Sequence, residues 1–306
     1  MEILSGLESL PEPRLRSPIV TWGVFDGVHR GHRKVLSQVL DWARELGVSS
    51  AIVTFDRHPE EVLRGHKVPL VTPLAERLRL IGALGVDFCV VLNFTIEFSK
   101  TPAEEFVRGI VAGRMAAKGI VLGHDSRFGR DRAGDLEFLT RLGRDVGLEV
   151  RHSEPEIFKE RPVSSSLIRE AIFAGKLDDA TYLLGRPPSV IGTVVKGARR
   201  GTALGFPTAN LELHHAVKPP PGVYAGEVPL AGRVYRAVVN IGTRPTFQQG
   251  GAETIEAHLL DYAGGDLYGR IVEVRFLARI RDEKKFDGPE ALKRQITADI
   301  DGARRL

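Results

Sequence analysis

The chain has 306 residues, with 43 Lys+Arg against 39 Asp+Glu for a formal net charge of +4, and a single cysteine. That length suffices for two domains with separate cores, and one cysteine excludes a disulfide scaffold or a Cys-rich zinc site. The mild positive balance, without a long basic tract, suits a phosphorylated small molecule at least as well as a polynucleotide, and no apolar run reaches membrane-spanning length.

The opening MEILSGLESLPEPRL has no basic flank beside an apolar core, so no secretory signal is expected and the expected location is cytoplasmic. Next, PIVTWGVFDGVHRGH runs from an apolar strand through a glycine turn into KVLSQVLDWARELG, which carries apolar residues at helical spacing. His29 and His32 then sit at a helix start, where free backbone N–H groups favour an anion, and Gly27 and Gly31 allow close backbone approach. No third or fourth ligand follows at metal-site spacing, so a metal pair is the weaker reading. Such a site suits nucleotidyl transfer, in which imidazoles donate to developing phosphate charge without a covalent intermediate.

SSAIVTF and VDFCVVLNF read as buried strands, the second holding Cys89 as a core thiol, and LAERLRLIGALG reads as the helix between them. TPAEEFVRGIVAGRM predicts a helix with Thr101 as N-cap and Pro102 at its first position. GIVLGHD and LEVRHSE supply further strands. This alternation implies a mostly parallel sheet with helices on both faces and ligands at the carboxyl ends of its strands. SSSLIREAIFAGKLDDATYLLG adds two short helices closed by Gly185. In it, hydroxyls at a helix start followed by Arg169 one turn in can grip phosphate oxygens.

Pro187 and Pro188 mark a boundary, dividing the chain into 1–186 and 187–306. Beyond it SVIGTVVKG, GVYAGEVPLAGRVYRAVVNIG, TIEAHLLDY and RIVEVRFLARI are strands with turns, and GPEALKRQITADI closes as a helix. Antiparallel strands with a late helix imply a small closed barrel, since closure protects sheet edges. In GARRGTALGFPTANL, glycines bring backbone close and Lys196, Arg199 and Arg200 supply charge. The Thr208 hydroxyl and Asn210 amide can hold Mg²⁺ beside ATP phosphates, while PTAN also reads as an Asn-capped turn.

GVFDGVHRGH resembles the histidine motif of the nucleotidyltransferase superfamily, in the form found in bacterial bifunctional riboflavin kinase/FMN adenylyltransferases. TFDRHP, GHDSRFGRDRAGD and VSSSLIREAI follow the same family, as do LGFPTANL, PPPGVYAG, NIGTRPTF, ETIEAHLLDY and LYGRIVEVRFLARIRDEKKF. The resemblance spans about residues 17 to 300 and implies an α/β nucleotidyltransferase-type parallel-sheet domain followed by an antiparallel β-barrel kinase domain with a C-terminal helix. It implies ATP-dependent phosphorylation of riboflavin to FMN, then adenylyl transfer from ATP to FMN, giving FAD and pyrophosphate. For the second reaction it puts His29, His32, Ser165, Ser166 and Arg169 around phosphates, Gly23, Phe25, Asp26, Gly27 and Gly31 along the nucleotide, and Asp125 near the flavin phosphate. For the first it implies nucleotide contacts from Lys196, Gly197, Gly205, Phe206 and Pro207, Mg²⁺ on Thr208 and Asn210, and Glu256 as catalytic base, with Glu253 as the decoy.

Two departures stand out. Ser126 replaces an aromatic common in the family, a loss of flavin contact unless Phe128 carries it, and Arg57 stands where proline is frequent. Asp56 and His58 either join the site or only order their loop. Rival readings are a first domain serving another phosphorylated acceptor, a nucleic-acid-binding barrel and a non-catalytic flavin binder. The 7% aromatic content argues against the second. Small-molecule substrates, with no nucleic acid and no membrane, are the expected partners; oligomeric state is left open, a weak homo-oligomer included.

Overall fold

Strands buried on both faces must spend every side chain on a core, and β2 (Ile19–Trp22) does so with all four residues buried. The structure, a computed structural model, describes residues 1–9, 15, 17–197, 201, 204–215, 217–243 and 253–306, with the side chains of Thr243 and Glu253 excepted. Arg199, Arg200 and the RPTF part of NIGTRPTF therefore lie outside the described residues. The chain folds as two compact units: Met1–Val68 with Leu74–Ser164, and Pro69–Pro73 with Ser165–Leu306.

In the first unit, β1 (Glu2–Ser5), β2, β3 (Ser50–Phe55), β4 (Phe88–Leu92), β5 (Gly119–Gly123) and β6 (Glu149–Ser153) form one sheet in the order β1-β4-β3-β2-β5-β6. Every pairing in it is parallel. Alternate residues feed two cores. Val20, Trp22, Val53, Val90 and Ile120 join the Phe106, Val107 and Leu139 side, while Ile19, Ile52, Cys89 and Val121 join Leu36, Trp42 and Ile81. Helices α1 (Arg30–Leu46) and α3 (Leu74–Gly82) thus cover one face, and Phe106–Arg114 with α6 (Leu136–Val146) cover the other. Between α1 and α6 the unit also contains α2 (Pro59–Arg64), α4 (Ile96–Ser99) and α5 (Ala103–Glu105). Burial pushes the Cys89 thiol up to about 12.

The sequence reading lacks helices α2, α4 and α6 and strand β1, and it places one N-cap differently. The N-cap of α5 is Pro102, not Thr101, and no side chain caps it. The Thr101 carbonyl is instead taken by the Arg130 N–H at 2.8 Å. From Phe106 the helix widens to π-type turns, as the Met115 N–H bond to the Ile110 carbonyl illustrates. Strand β1 has no counterpart in that reading, because an edge strand with three of four residues exposed carries no apolar alternation.

The strand order reverses at β2: the chain steps from β2 through β3 to β4 on one side, then returns to β5 on the other. Crevices at the carboxyl end of such a switch strand are where open α/β sheets bind ligands. Here that end leads into residues 23–29 and α1.

The second unit holds α7 (Ser165–Phe173) and α8 (Leu177–Leu184), the latter stopped by Gly185 in the left-handed region. The short pair β7 (Ile157–Phe158) and β8 (Arg161–Pro162) precedes α7 in the chain, within the first unit. Then β9 (Ser189–Val195), β10 (Ala209–Leu213), β11 (Gly222–Leu230), β12 (Arg233–Thr243), β13 (Glu253–Leu259) and β14 (Ile271–Arg281) close into a barrel in the order β10-β13-β12-β11-β14-β9. Tyr224 and Phe276, edge to face at 5.4 Å, fill its interior. Helix α9 (Pro289–Arg305) lies outside, packing Ala303 and Ile300 against Val223, Ala225 and Val238. It is tied down by buried Asp299, which accepts from Arg281 Nη2 at 2.8 Å and Nε at 3.0 Å.

His215 adds a pH-sensitive pin. Its Nδ1 faces the Leu70 carbonyl at 3.2 Å, and its Nε2 accepts the Ile191 N–H at 3.2 Å. A carbonyl only accepts and an amide N–H only donates, so the ring is the neutral Nδ1–H tautomer. Burial lowers its pKa to about 4; the Leu70 carbonyl acts the other way and His214 adds to the lowering. The unfolded value is about 6.5, so between these limits the unfolded chain binds more protons. This stabilisation is complete above about pH 6.5 and is lost as pH falls to about 4, a change on the order of 3 kcal/mol. Urea unfolding of the second unit should show this slope, and His215→Gln should flatten it; an equal slope in both proteins would contradict the assignment.

Candidate active sites

At the carboxyl end of β2, residues 23–29 turn sharply enough to hold Phe25, Gly27 and Val28 at φ of 54°, 84° and 40°. Positive φ is unfavourable for Phe and Val, and burial of both side chains offsets it. The Phe25 ring covers Gly23 and meets His32 edge-on at 5.1 Å. Asp26 is also buried, at 1% exposure.

His29 is the N-cap of α1, and its Nδ1 accepts the His32 backbone N–H at 3.2 Å. That bond leaves Nδ1 without a proton, so a neutral His29 presents Nε2–H as a donor. The two imidazoles stack at 3.5 Å. Gly31 makes room for them: a β-carbon there would come within 3.2 Å of the His29 ring and 3.3 Å of the Val163 carbonyl. His32 Nδ1 is buried without a hydrogen-bond partner among the described residues. Burial, then His29, then Arg77, hold the His32 pKa well below its usual value, so the ring is neutral at pH 7.

Arg77 was not singled out from sequence. It is 2% exposed, with Nη2 donating to the Phe55 carbonyl at 2.6 Å and Nε unpartnered among the described residues. Burial lowers its pKa, opposed by the charge of Asp26 first. The available signal was an arginine at position 77 inside the apolar stripe Leu74, Leu78, Ile81.

Asp56 joins its own loop to the segment after β4, and His58 caps α2. Asp56 Oδ1 accepts the N–H groups of Arg57 and Phe94, and His58 Nδ1 accepts that of Glu60 as N-cap of α2. Asp125 is exposed, 3.8 Å from His124. Phe128 does not take over an exposed stacking role: it is 7% exposed and packs edge-on against Trp22 at 5.0 Å. Ser126 turns back on Gly123 through a 3.1 Å backbone bond. In the second unit, Arg169 Nη2 reaches Ser166 Oγ at 3.2 Å and Nη1 reaches the Pro69 carbonyl at 3.5 Å, so the α7 pair is brought together. Ser165 opens the same helix.

On the barrel, Ile255, Ala257 and Leu259 point inward and are buried, so Glu256 and His258 face outward. Glu256 pairs in register with Asn210 of β10 on one side and Asn240 of β12 on the other. Directly opposed residues in a sheet lie about 5 Å apart, so these three polar side chains form one row on the outer surface. Asn210 belongs to a strand and not to an Asn-capped turn. Its Oδ1 is buried with no partner among the described residues. Gly197 lies against it so closely that a β-carbon there would collide with the amide, while neighbouring Lys196 is exposed.

Leading into β10, Phe206 N–H bonds the Gly201 carbonyl at 2.8 Å, Gly205 takes φ of 90°, and Thr208 lies over Gly201. The Pro207 carbonyl meets His258 Nδ1 at 2.7 Å. Asn240 and His258 were quoted in motifs but not singled out; the period-2 face shared by Glu256 and His258 was the signal for the latter. Glu283 Oε1 lies against Gly242, where a β-carbon would collide with it. Among the described residues no cluster of three or more His, Cys, Asp or Glu could hold a metal.

Residues 12–167 match a family model described as FAD synthetase, and 184–306 match one described as riboflavin kinase. The chain is 38% identical over 306 residues to the bifunctional riboflavin kinase/FMN adenylyltransferase of Pseudomonas fluorescens, covering 100% of this chain and 98% of that one. The protein of the same description from Bacillus subtilis is 35% identical over 287 residues, covering 92% and 90%. A crystal structure from Streptococcus pneumoniae described as a macrolide-efflux protein superposes with a TM-score of 0.89 at 32% identity, covering 100% of both chains. No helix among the described residues is long and apolar enough to cross a membrane.

The buried histidine pair carries its own test. A histidine-selective NMR titration should find His32 without a midpoint at or above about 6.5, the ring charging only well below it. Because the depressed value belongs to the folded state, this residue's contribution to stability is present above about pH 6.5 and declines as pH falls. A midpoint above 6.5 would contradict the geometry.

Proposed function

Because the chain belongs to the bifunctional riboflavin kinase/FMN adenylyltransferase family, we propose an assignment of its two reactions to particular residues. Residues 1–186 and 187–306 are the adenylyltransferase and kinase domains. The kinase site is the outer row of β10, β13 and β12 with the loop that leads into β10. The observation that carries this is the register of Asn210 opposite Glu256, with the Asn210 oxygen buried and unspent.

Glu256 takes the proton of the riboflavin 5′-hydroxyl, and that oxygen attacks the γ-phosphoryl group of ATP as ADP leaves. An outward carboxylate on a strand whose other face is core is held rigidly and can be reached by substrate. The orphaned Asn210 oxygen and the adjacent Thr208 hydroxyl are hard oxygen donors of the kind Mg²⁺ takes. When bound there, the ion neutralises phosphate charge. Gly197, Gly205 and Phe206 shape the backbone that faces the nucleotide, and Lys196 adds positive charge.

In the adenylyl transfer, an FMN phosphate oxygen attacks the α-phosphorus of ATP and pyrophosphate leaves. His29 Nε2–H, the neutral His32 ring and the first N–H groups of α1 stabilise the developing charge, and Gly23, Phe25, Asp26 and Gly27 shape the approach. Neutral imidazoles donate without the cost of burying a second cation near Arg77. Ser165, Ser166 and Arg169 at the start of α7 are a second phosphate-gripping set, and Asp125 serves the flavin side. ATP is the substrate of both reactions, which sets the work in the cytoplasm.

His29→Ala with His32→Ala should reduce FAD formation from FMN several hundredfold, about 3 to 5 kcal/mol, while riboflavin phosphorylation stays within twofold. Parallel loss of both activities in a protein that melts normally would sink the two-site assignment. Glu256→Gln should lower FMN production 10²- to 10⁴-fold, with FAD formation from supplied FMN intact. Glu253→Gln should do little; if it were the inactive one, the register of the base would be off by three residues.

A further inference from the structure

The hydrogen bond between His258 and the Pro207 carbonyl serves no core, since β13 turns His258 away from the barrel interior. It joins the strand of Glu256 to the loop of Thr208. We infer that His258 is a positioning residue of the kinase site, holding the 207–208 peptide so that Thr208 and Asn210 present their oxygens to the nucleotide-bound cation; this rests on the kinase reading above.

Three observations carry the inference. First, the contact is short, 2.7 Å, and the Pro207 oxygen can only accept, so Nδ1 must carry the proton. Second, the peptide unit is planar, so pinning the Pro207 oxygen also fixes the direction of the Thr208 N–H and of the chain entering β10 at Ala209. Among the described residues of the loop, the Gly201 carbonyl holds only Leu204 and Phe206, upstream of the pinned peptide. Third, the Phe206 ring stands perpendicular to the imidazole at 5.8 Å, which limits rotation of the histidine about its Cα–Cβ bond.

Glu256 and His258 are two residues apart on one strand face. A single rigid strand therefore sets both the base and the loop opposite it. The pairing Asn210↔Glu256 fixes one end of that geometry and His258 to Pro207 fixes the other. Without the second tie, Thr208 would hang from a loop containing Gly201 and Gly205.

The test uses the full chain with His258→Asn, His258→Gln and His258→Ala. The Asn amide nitrogen lies two bonds beyond Cβ, as Nδ1 does, whereas the Gln nitrogen lies three bonds beyond it, as Nε2 does. His258→Ala and His258→Gln should therefore lower kcat/KM for MgATP in FMN formation about tenfold, the loss expected for one well-placed hydrogen bond. His258→Asn should remain within threefold of the unaltered protein, and KM for riboflavin should move little in all three. FAD formation from supplied FMN should be unchanged, and an unaltered circular-dichroism melt with an unchanged KM for riboflavin reports that the barrel is intact.

A second readout needs no substrate: ¹⁵N NMR of the imidazole in the unaltered protein should show the Nδ1–H tautomer. An Nε2–H tautomer, a fully active His258→Ala, or a His258→Asn as impaired as His258→Gln would each overturn the proposal. If the unaltered chain makes no FMN, or Glu256→Gln makes it normally, the kinase reading fails instead. The tautomer then still decides whether His258 holds the loop.

Discussion

Apolar burial leaves very few places on this chain where chemistry can occur. Strands β2 to β5 give alternate side chains to cores on both faces of the parallel sheet, so no side chain in the middle of the sheet is free to act. Polar groups can gather only where the strands stop, and the reversal of strand order at β2 opens space at that strand's carboxyl end. In the barrel the interior is filled by Tyr224, Phe276 and their neighbours, which leaves the outer face. Helix α9 covers part of that face, over β11 and β12, while Asn240, Glu256 and Asn210 lie on the β12–β13–β10 row.

The two candidate sites handle desolvation in opposite ways. The histidine pair is buried, stacked and backed by the Arg77 cation, so its environment holds the His32 ring neutral, while the His32 backbone N–H fixes which His29 nitrogen accepts. Positive φ at Phe25 and Val28 is sustained because both side chains are anchored in the core behind the turn. The barrel row is half-buried on the outer face, and its precision comes from strand register. The exception is the Asn210 oxygen, which is buried with no partner among the described residues, a state that costs free energy until a partner is supplied.

Much of this was legible in the chain. Alternation of apolar strands with helical stripes implied the parallel sheet, turn-rich strands after Pro188 implied the barrel, and Gly185 implied the end of α8, because burial periodicity and left-handed caps are local properties. Glycines 27 and 31 beside two histidines pointed to the turn after β2, and Asn210 and Glu256, both named from motifs, are register partners across β10 and β13. Misreadings fell where the local signal was weak or ambiguous. Thr101 had the chemistry of an N-cap, but its carbonyl was claimed by Arg130, and edge strand β1 carried no pattern at all.

The sequence by itself therefore determined which residue types were available, the period of each element and the order of the two modules, since these depend on neighbours along the chain. Only the tertiary structure decided that Asn210 and Asn240 flank Glu256, that Phe128 is spent on Trp22, that Arg77 stands behind His32, and that His258 holds the Pro207 carbonyl. Each of those is a pairing across a long stretch of chain. Strand register and burial set such pairings, and neither is a property of any local segment.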